Sequence, residues 1–130
     1  MKETTVVIVD DSPFSVAMIS NILKTNGFNV VGSAGGLEEA IEAVKTLKPD
    51  VVTMDITMPG VDGIECTNAI HKINPNQKVI IVSSMMDDEI IRRAKKAKIS
   101  GYVQKPVDAE ELTLAINRVM ADEELFIELE

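Results

Sequence analysis

The chain is poor in aromatic residues. Among its 130 residues there is no tryptophan, Tyr102 is the one tyrosine, and phenylalanine occurs three times. A core must therefore be built from aliphatic side chains and methionine, of which there are seven. A single cysteine, Cys66, excludes an internal disulfide and suits a reducing compartment. Long apolar runs are also missing. The amino-terminal run Thr5-Val6-Val7-Ile8-Val9 stops at two aspartates, too short to cross a bilayer, and no small-residue cleavage site follows it. The chain therefore reads as cytoplasmic, with no membrane attachment. Positive charge is in deficit, 13 Lys and Arg against 21 Asp and Glu, for a net charge of −8. That balance argues against direct nucleic-acid binding, which calls for a basic face. Five of the acids, Asp122, Glu123, Glu124, Glu128 and Glu130, fall in the last ten residues, so the body is only mildly acidic.

What is present is an alternation. Residues 5–9 form a continuous β-branched run, as expected when both faces of a strand are covered in a parallel sheet. Ser12-Pro13 reads as a helix start, with Val16, Ile19 and Leu23 at helical spacing and Asn26-Gly27 as the stop. A second strand is predicted over 28–31, and a helix over 37–47 with Leu37, Ala40, Ile41, Val44 and Leu47 inward. A third strand covers 51–54 and ends at Asp55. A turn containing Pro59, Gly60 and Gly63 leads into a helix over 64–72. A fourth strand over 79–82 ends at Ser83, followed by a charged helix over 88–98 and a short fifth strand at Tyr102-Val103. The last helix opens at Asp108, with Glu111 at capping-box spacing and Leu112, Ile116 and Val119 inward. Five strands alternating with five helices predict a parallel sheet with right-handed crossovers and helices on both faces. No composition break appears before the acidic tail, so residues 1–121 form one domain and 122–130 an extension or linker stub.

In such sheets function collects at the carboxyl ends of the strands. Here those ends carry Asp10 and Asp11, then Asp55, Ser83 and Lys105. Three converging carboxylates repel one another, and a hard divalent cation resolves this, magnesium or calcium rather than zinc given oxygen ligands. A carboxylate can also be the nucleophile in phosphoryl transfer, forming an acyl phosphate. Catalysis is then mainly positioning and charge neutralisation, with Lys105 and the Ser83 hydroxyl or a loop amide as further stabilisers.

These residues carry a resemblance. Asp10-Asp11 after an apolar strand, Met54-Asp55-Ile56-Thr57-Met58-Pro59-Gly60-Val61-Asp62-Gly63, Val82-Ser83-Ser84 and Gly101-Tyr102-Val103-Gln104-Lys105-Pro106 stand at separations that closely resemble the CheY-like receiver domain of two-component response regulators, over roughly Thr4 to Met120. The resemblance implies a flavodoxin-like, doubly wound (βα)5 fold with strand order 2-1-3-4-5. It implies a phosphoprotein that accepts a phosphoryl group on Asp55 from a sensor histidine kinase or phosphotransfer protein of a phosphorelay. Mg2+ would be held by Asp11 and Asp55 directly, by Asp10 through water, and by the Thr57 backbone carbonyl. Ser83 would be the switch hydroxyl, Tyr102 the aromatic switch and Lys105 the invariant lysine, with the Lys105-Pro106 bond cis. A downstream target would dock on the 88–120 face, and phosphorylation could drive homodimerisation. Thr57 and Met85, flanking the phosphoryl site, depart from the polar pair of fast-hydrolysing members. Ala97-Lys98-Ile99-Ser100-Gly101 departs from a tighter Ala-Gly-Ala turn.

Plainer readings stand beside these. Asp10-Asp11 could cap the first helix, Ser83 could be a strand-end hydroxyl, and Tyr102 an ordinary half-buried aromatic. Arg92, Arg93, Lys95, Lys96 and Lys98 could form a solvated face, with Asp88–Arg92 and Glu89–Arg93 as i,i+4 pairs, or a docking patch. Met54, Met58, Met85 and Met86 read as adaptable packing, and Cys66 and His71 as structural or solvent-facing. Two other functions compete. A carrier of FMN would need a phosphate cradle where Asp10-Asp11 stand. A haloacid-dehalogenase-like phosphatase would need a second Asp at position 57, where Thr stands, so a turnover enzyme is not expected. No output domain is recognisable after Met120.

Overall fold

The computed structural model describes residues 3–85 and 87–121. Its elements run β1 (Thr5–Val9), α1 (Pro13–Thr25), β2 (Asn29–Ala34), α2 (Leu37–Leu47), β3 (Val51–Met54), β4 (Thr57–Met58), β5 (Val61–Asp62), α3 (Gly63–Ile73), β6 (Lys78–Ser83), α4 (Asp88–Lys96), β7 (Gly101–Gln104) and α5 (Ala109–Met120). The main sheet has five parallel strands in the order β2-β1-β3-β6-β7. Counting only those five, this is the expected 2-1-3-4-5 order, a flavodoxin-like fold. The expectation for residues 122–130, and for Met86, lies outside the described residues.

The continuous apolar runs are explained by two cores, one on each sheet face. Along β1, Val6 and Ile8 face α1 and α5, joining Ile19, Leu23, Leu112, Ile116 and Val119. Val7 and Val9 face the other way, with Ala40 and Val44 of α2, Ile64 and Ile70 of α3, and Ile90 and Ala94 of α4. Successive residues of a strand alternate between faces, so a strand covered on both sides must be apolar throughout. Ser12 caps α1 by accepting the Ser15 N–H at 3.3 Å, with Pro13 in the first turn. Asn26 ends it, and Gly27 takes a φ of 86°.

Four local expectations are corrected. β2 is Asn29–Ala34 rather than 28–31, because its ladder with β1 continues through Gly32, Ser33 and Ala34. Pairing overrides the weak strand propensity of those small residues. The charged helix stops at Lys96, not Lys98. Lys98 turns left-handed at φ 58°, and the reversal drops Ile99 into the core. Leu47 is 43% exposed rather than inward, while Ala40 and Ala43 on the same helix are buried. Asp108 sits at the start of α5 but makes no side-chain cap hydrogen bond, so the Asp108/Glu111 capping box is not formed.

The segment after Asp55, read as a plain turn, is a two-stranded antiparallel hairpin pairing Thr57 with Asp62 and Met58 with Val61, with Gly60 at φ 80°. Gly63 closes it. Its N–H donates to the Ile56 carbonyl at 2.8 Å, and a Cβ there would lie 2.2 Å from the Asp55 carbonyl oxygen. Backbone meets backbone, so nothing can rotate aside. Gly63→Ala is expected to cost about 1–3 kcal/mol in urea unfolding, the range of overpacked sites. An unchanged midpoint would show that the hairpin can move off Asp55.

Candidate functional site

The sheet ladder fixes the backbone of the strand-end residues. Past the last residue of each strand, the Asp10 N–H donates to the Ala34 carbonyl, the Asp55 N–H to the Val9 carbonyl and the Lys105 N–H to the Ser83 carbonyl, each at 2.9 Å. Asp10 and Asp55 thus leave adjacent strands β1 and β3. The chain winds outward in both directions from this pair, and the crevice opens where sheet order reverses.

Carboxylate oxygens of Asp10, Asp11 and Asp55 all lie within 4.8 Å of one another. Asp10 and Asp55 are buried and Asp11 is exposed. Asp10 accepts the Ser12 N–H at Oδ1, 2.9 Å, and meets Lys105 Nζ at Oδ2, 3.0 Å. The same Nζ stands 3.8 Å from Asp55 Oδ1. Burial pushes the Asp55 carboxyl above the usual carboxylate value. Lys105 opposes that shift, Asp10 adds to it, the Thr57 N–H bonded to the carboxylate opposes it, and Asp11 adds again. Capping of α1 falls to Ser12, so the two aspartates are not spent on it. The donor set of three clustered carboxylates suits a hard cation with oxygen ligands and retained waters.

The remaining sequence candidates surround this group. Ser83 is buried, and its hydroxyl accepts the Met85 N–H at 3.1 Å. Tyr102 is half-buried, its hydroxyl donating to the Met85 carbonyl and, at 3.4 Å, to the Ser83 carbonyl. Thr57 donates its hydroxyl to the Met85 thioether at 3.5 Å. The Lys105-Pro106 bond is cis. Met54 and Met58 are core residues. Cys66 is fully buried with its thiol pushed up to about 11 by burial, so it is inert. His71 Nε2 bonds the Gln77 carbonyl at 2.9 Å, a structural role.

Sequence reading missed one tie. Asp62 caps α3 by accepting the Glu65 N–H at 2.8 Å through Oδ1, and its Oδ2 holds Arg93 of α4 at 2.7 Å. Burial alone would raise the Asp62 carboxyl, yet the Arg93 hydrogen bond, the Glu65 N–H and the Arg93 charge hold it below its usual value. The Asp62/Glu65 spacing was a visible capping signal; the Arg93 partner, 31 residues away, was not. The ion pair ties α4 to the hairpin behind Asp55.

Because the folded-state pKa of Asp55 lies above its ordinary 3.8, ionisation opposes folding. The penalty is absent below the unfolded value and present once pH exceeds the folded one. Asp55→Asn is therefore expected to melt a few degrees above the wild type at about pH 7 without divalent cations, with the gap closing toward about pH 4. Equal melting temperatures at both pH values would contradict this.

The comparisons with known proteins agree with this geometry. The family model described as the response regulator receiver domain matches residues 6–117. The chemotaxis protein CheY of Thermotoga maritima is 41% identical over 114 residues, covering 88% of this chain and 95% of that protein. Among solved structures, a two-component response regulator of the LuxR family from Aurantimonas has a TM-score of 0.90 at 30% identity, covering 95% of this chain and 89% of that one. A CheX-CheY-BeF3-Mg2+ complex from Borrelia burgdorferi has a TM-score of 0.85 at 32% identity, covering 89% and 88%. The chain belongs to the response regulator receiver domain family and is a phosphorylation-dependent switch of two-component signalling.

Proposed function

We propose that Asp55 is the phosphoacceptor. The observation that carries this reading is the convergence of three carboxylates and the Lys105 ammonium at the β1–β3 crevice. A carboxylate oxygen of Asp55 attacks the phosphorus of a phosphohistidine or acyl phosphate, the donor's bond to phosphorus breaks, and an acyl phosphate forms. Lys105, already beside Asp55, neutralises the arriving charge, and the Thr57 N–H holds the carboxylate in place. Asp10, Asp11, Asp55 and the Thr57 carbonyl would hold Mg2+, which when bound supplies further neutralisation of the phosphoryl oxygens. Asp10 contributes through water, since its two oxygens already engage Ser12 and Lys105.

Ser83 and Tyr102 form the switch. Both are bonded to the segment 83–85 that leads into α4, so a phosphoryl group that draws the Ser83 hydroxyl away from the Met85 N–H repacks that segment. A few kcal/mol of differential affinity suffices to shift such an equilibrium. The 88–120 face then offers a changed surface to a downstream protein or a second copy, and the phosphoryl group comes from a sensor histidine kinase or phosphotransfer protein. The receiver comprises residues 1–121, with 122–130 an extension or linker. The protein acts only on its own phosphoryl group and is not a turnover enzyme. In the described residues, no helix is long and apolar enough to cross a membrane, and the protein works in the cytoplasm.

Acetyl phosphate with magnesium is expected to add one hydroxylamine-labile phosphoryl group to the wild type and none to Asp55→Asn. Mass spectrometry placing it on Ser83 or Ser84 would refute the assignment. Magnesium affinity measured by calorimetry falls sharply in Asp11→Ala and less in Asp10→Ala; unchanged affinity in Asp11→Ala counts against the ligand set. The thioether of Met85 beside Thr57 is a poor partner for an attacking water. Decay of the phosphoaspartate is therefore expected to be slower than in rapid chemotaxis regulators, by about tenfold for each 1.4 kcal/mol of lost water positioning. Met85→Lys with Thr57→Asn should change the decay rate and leave magnesium binding intact. Wild-type decay as fast as theirs under the same conditions would refute this.

A further inference from the structure

Met85 is the most exposed of the described methionines, 46% open against 36% for Met120, with Met18 half-buried and Met54 and Met58 buried. Its sulfur accepts the Thr57 hydroxyl at 3.5 Å, and Thr57 directs its own N–H onto the Asp55 carboxylate. The Met85 backbone is bonded to both proposed switch side chains, its N–H to the Ser83 hydroxyl and its carbonyl to the Tyr102 hydroxyl. The sulfur of an exposed side chain thus stands one hydrogen bond from the residue that touches the acceptor. The single thiol of the chain, Cys66, is fully buried and protonated, and does not compete for an oxidant.

We propose that Met85 is a redox modification site, converted by peroxide-class oxidants to its sulfoxide, and that this shortens the life of the phosphoryl group on Asp55. The inference rests on the reading of Asp55 as acceptor. With hydrogen peroxide, a sulfur lone pair attacks one oxygen, the O–O bond breaks as the S–O bond forms, and the proton on the transferred oxygen passes to the departing hydroxide, which leaves as water. Sulfur gives up two electrons and the peroxide takes them, leaving Asp55 and its phosphoryl group unaltered in that step. Oxidation turns a flexible apolar side chain into a polar one. The thioether is a weak acceptor, whereas the sulfoxide oxygen accepts strongly from the Thr57 hydroxyl or from a water at the mouth of the site. Thr57 and the sulfoxide together supply the polar pair for an incoming water that Thr57 and a thioether lack.

The test uses the intact chain, labelled with acetyl phosphate and then treated with graded hydrogen peroxide. Peptide mass spectrometry locates the added oxygen, and phosphate release gives the decay rate. Met85 is expected to oxidise ahead of Met18 and Met120. Decay is expected to quicken about fivefold, the rate equivalent of one net hydrogen bond. Methionine sulfoxide reductases are expected to restore the original rate. Met85→Leu keeps the bulk, lacks the sulfur and retains Met86, so its decay should ignore peroxide. Unchanged or slower decay after full oxidation of Met85, or a Met85→Leu response equal to the wild type, overturns the proposal. A chain that takes no label before any oxidant is added overturns the reading of Asp55, and this inference with it.

Discussion

Three carboxylates held within 4.8 Å, two of them buried, set the terms for the rest of this molecule. Like charges at that separation repel, and taking them out of water adds to the cost. The sheet imposes the arrangement, because the ladder bonds that complete β1 and β3 also fix the backbone of Asp10 and Asp55. Relief comes from the far side of the sheet. Lys105 follows the edge strand β7 and brings its ammonium to 3.0 Å from Asp10 and 3.8 Å from Asp55. What remains unrelieved is a standing demand for further positive charge.

That demand links stability to function. Burial and neighbouring carboxylates raise the cost of ionising Asp55, and an added positive charge would lower it. The frame is closely built. Gly63 lets the β4–β5 hairpin lie against the Asp55 backbone, Asp62 ties that hairpin to α4 through Arg93, and Ser83 and Tyr102 bond the segment entering α4. Each is a short-range contact with few degrees of freedom. Together they connect the acid cluster to α4 and β7.

Met85 belongs to this frame through its backbone and to solvent through its side chain. A residue with both attachments is placed to couple outside chemistry to the site. It lies on a connection between elements, where a changed side chain costs the cores nothing. The buried Cys66 illustrates the opposite case, chemically capable but sealed among the aliphatic residues under α2 and α3.

The sequence by itself determined the architecture and that Asp10, Asp11 and Asp55 come together at the strand ends. The strand runs 6–9, 51–54 and 79–82, rich in β-branched residues, require cover on both faces, and Asp10, Asp55 and Ser83 directly after them must sit at strand ends. The helix starts at Ser12-Pro13 and Leu37 were legible because capping and periodicity are local. Tertiary structure alone decided whatever depended on a distant partner. β2 ends at Ala34 because β1 is there to pair with it. α4 stops at Lys96 because Ile99 must reach the core. Arg93 turns to Asp62, across 31 residues, and Lys105 to Asp10, across 95. Local propensity is written in neighbouring residues, whereas pairing, burial and ion contacts depend on which segments the completed fold brings side by side.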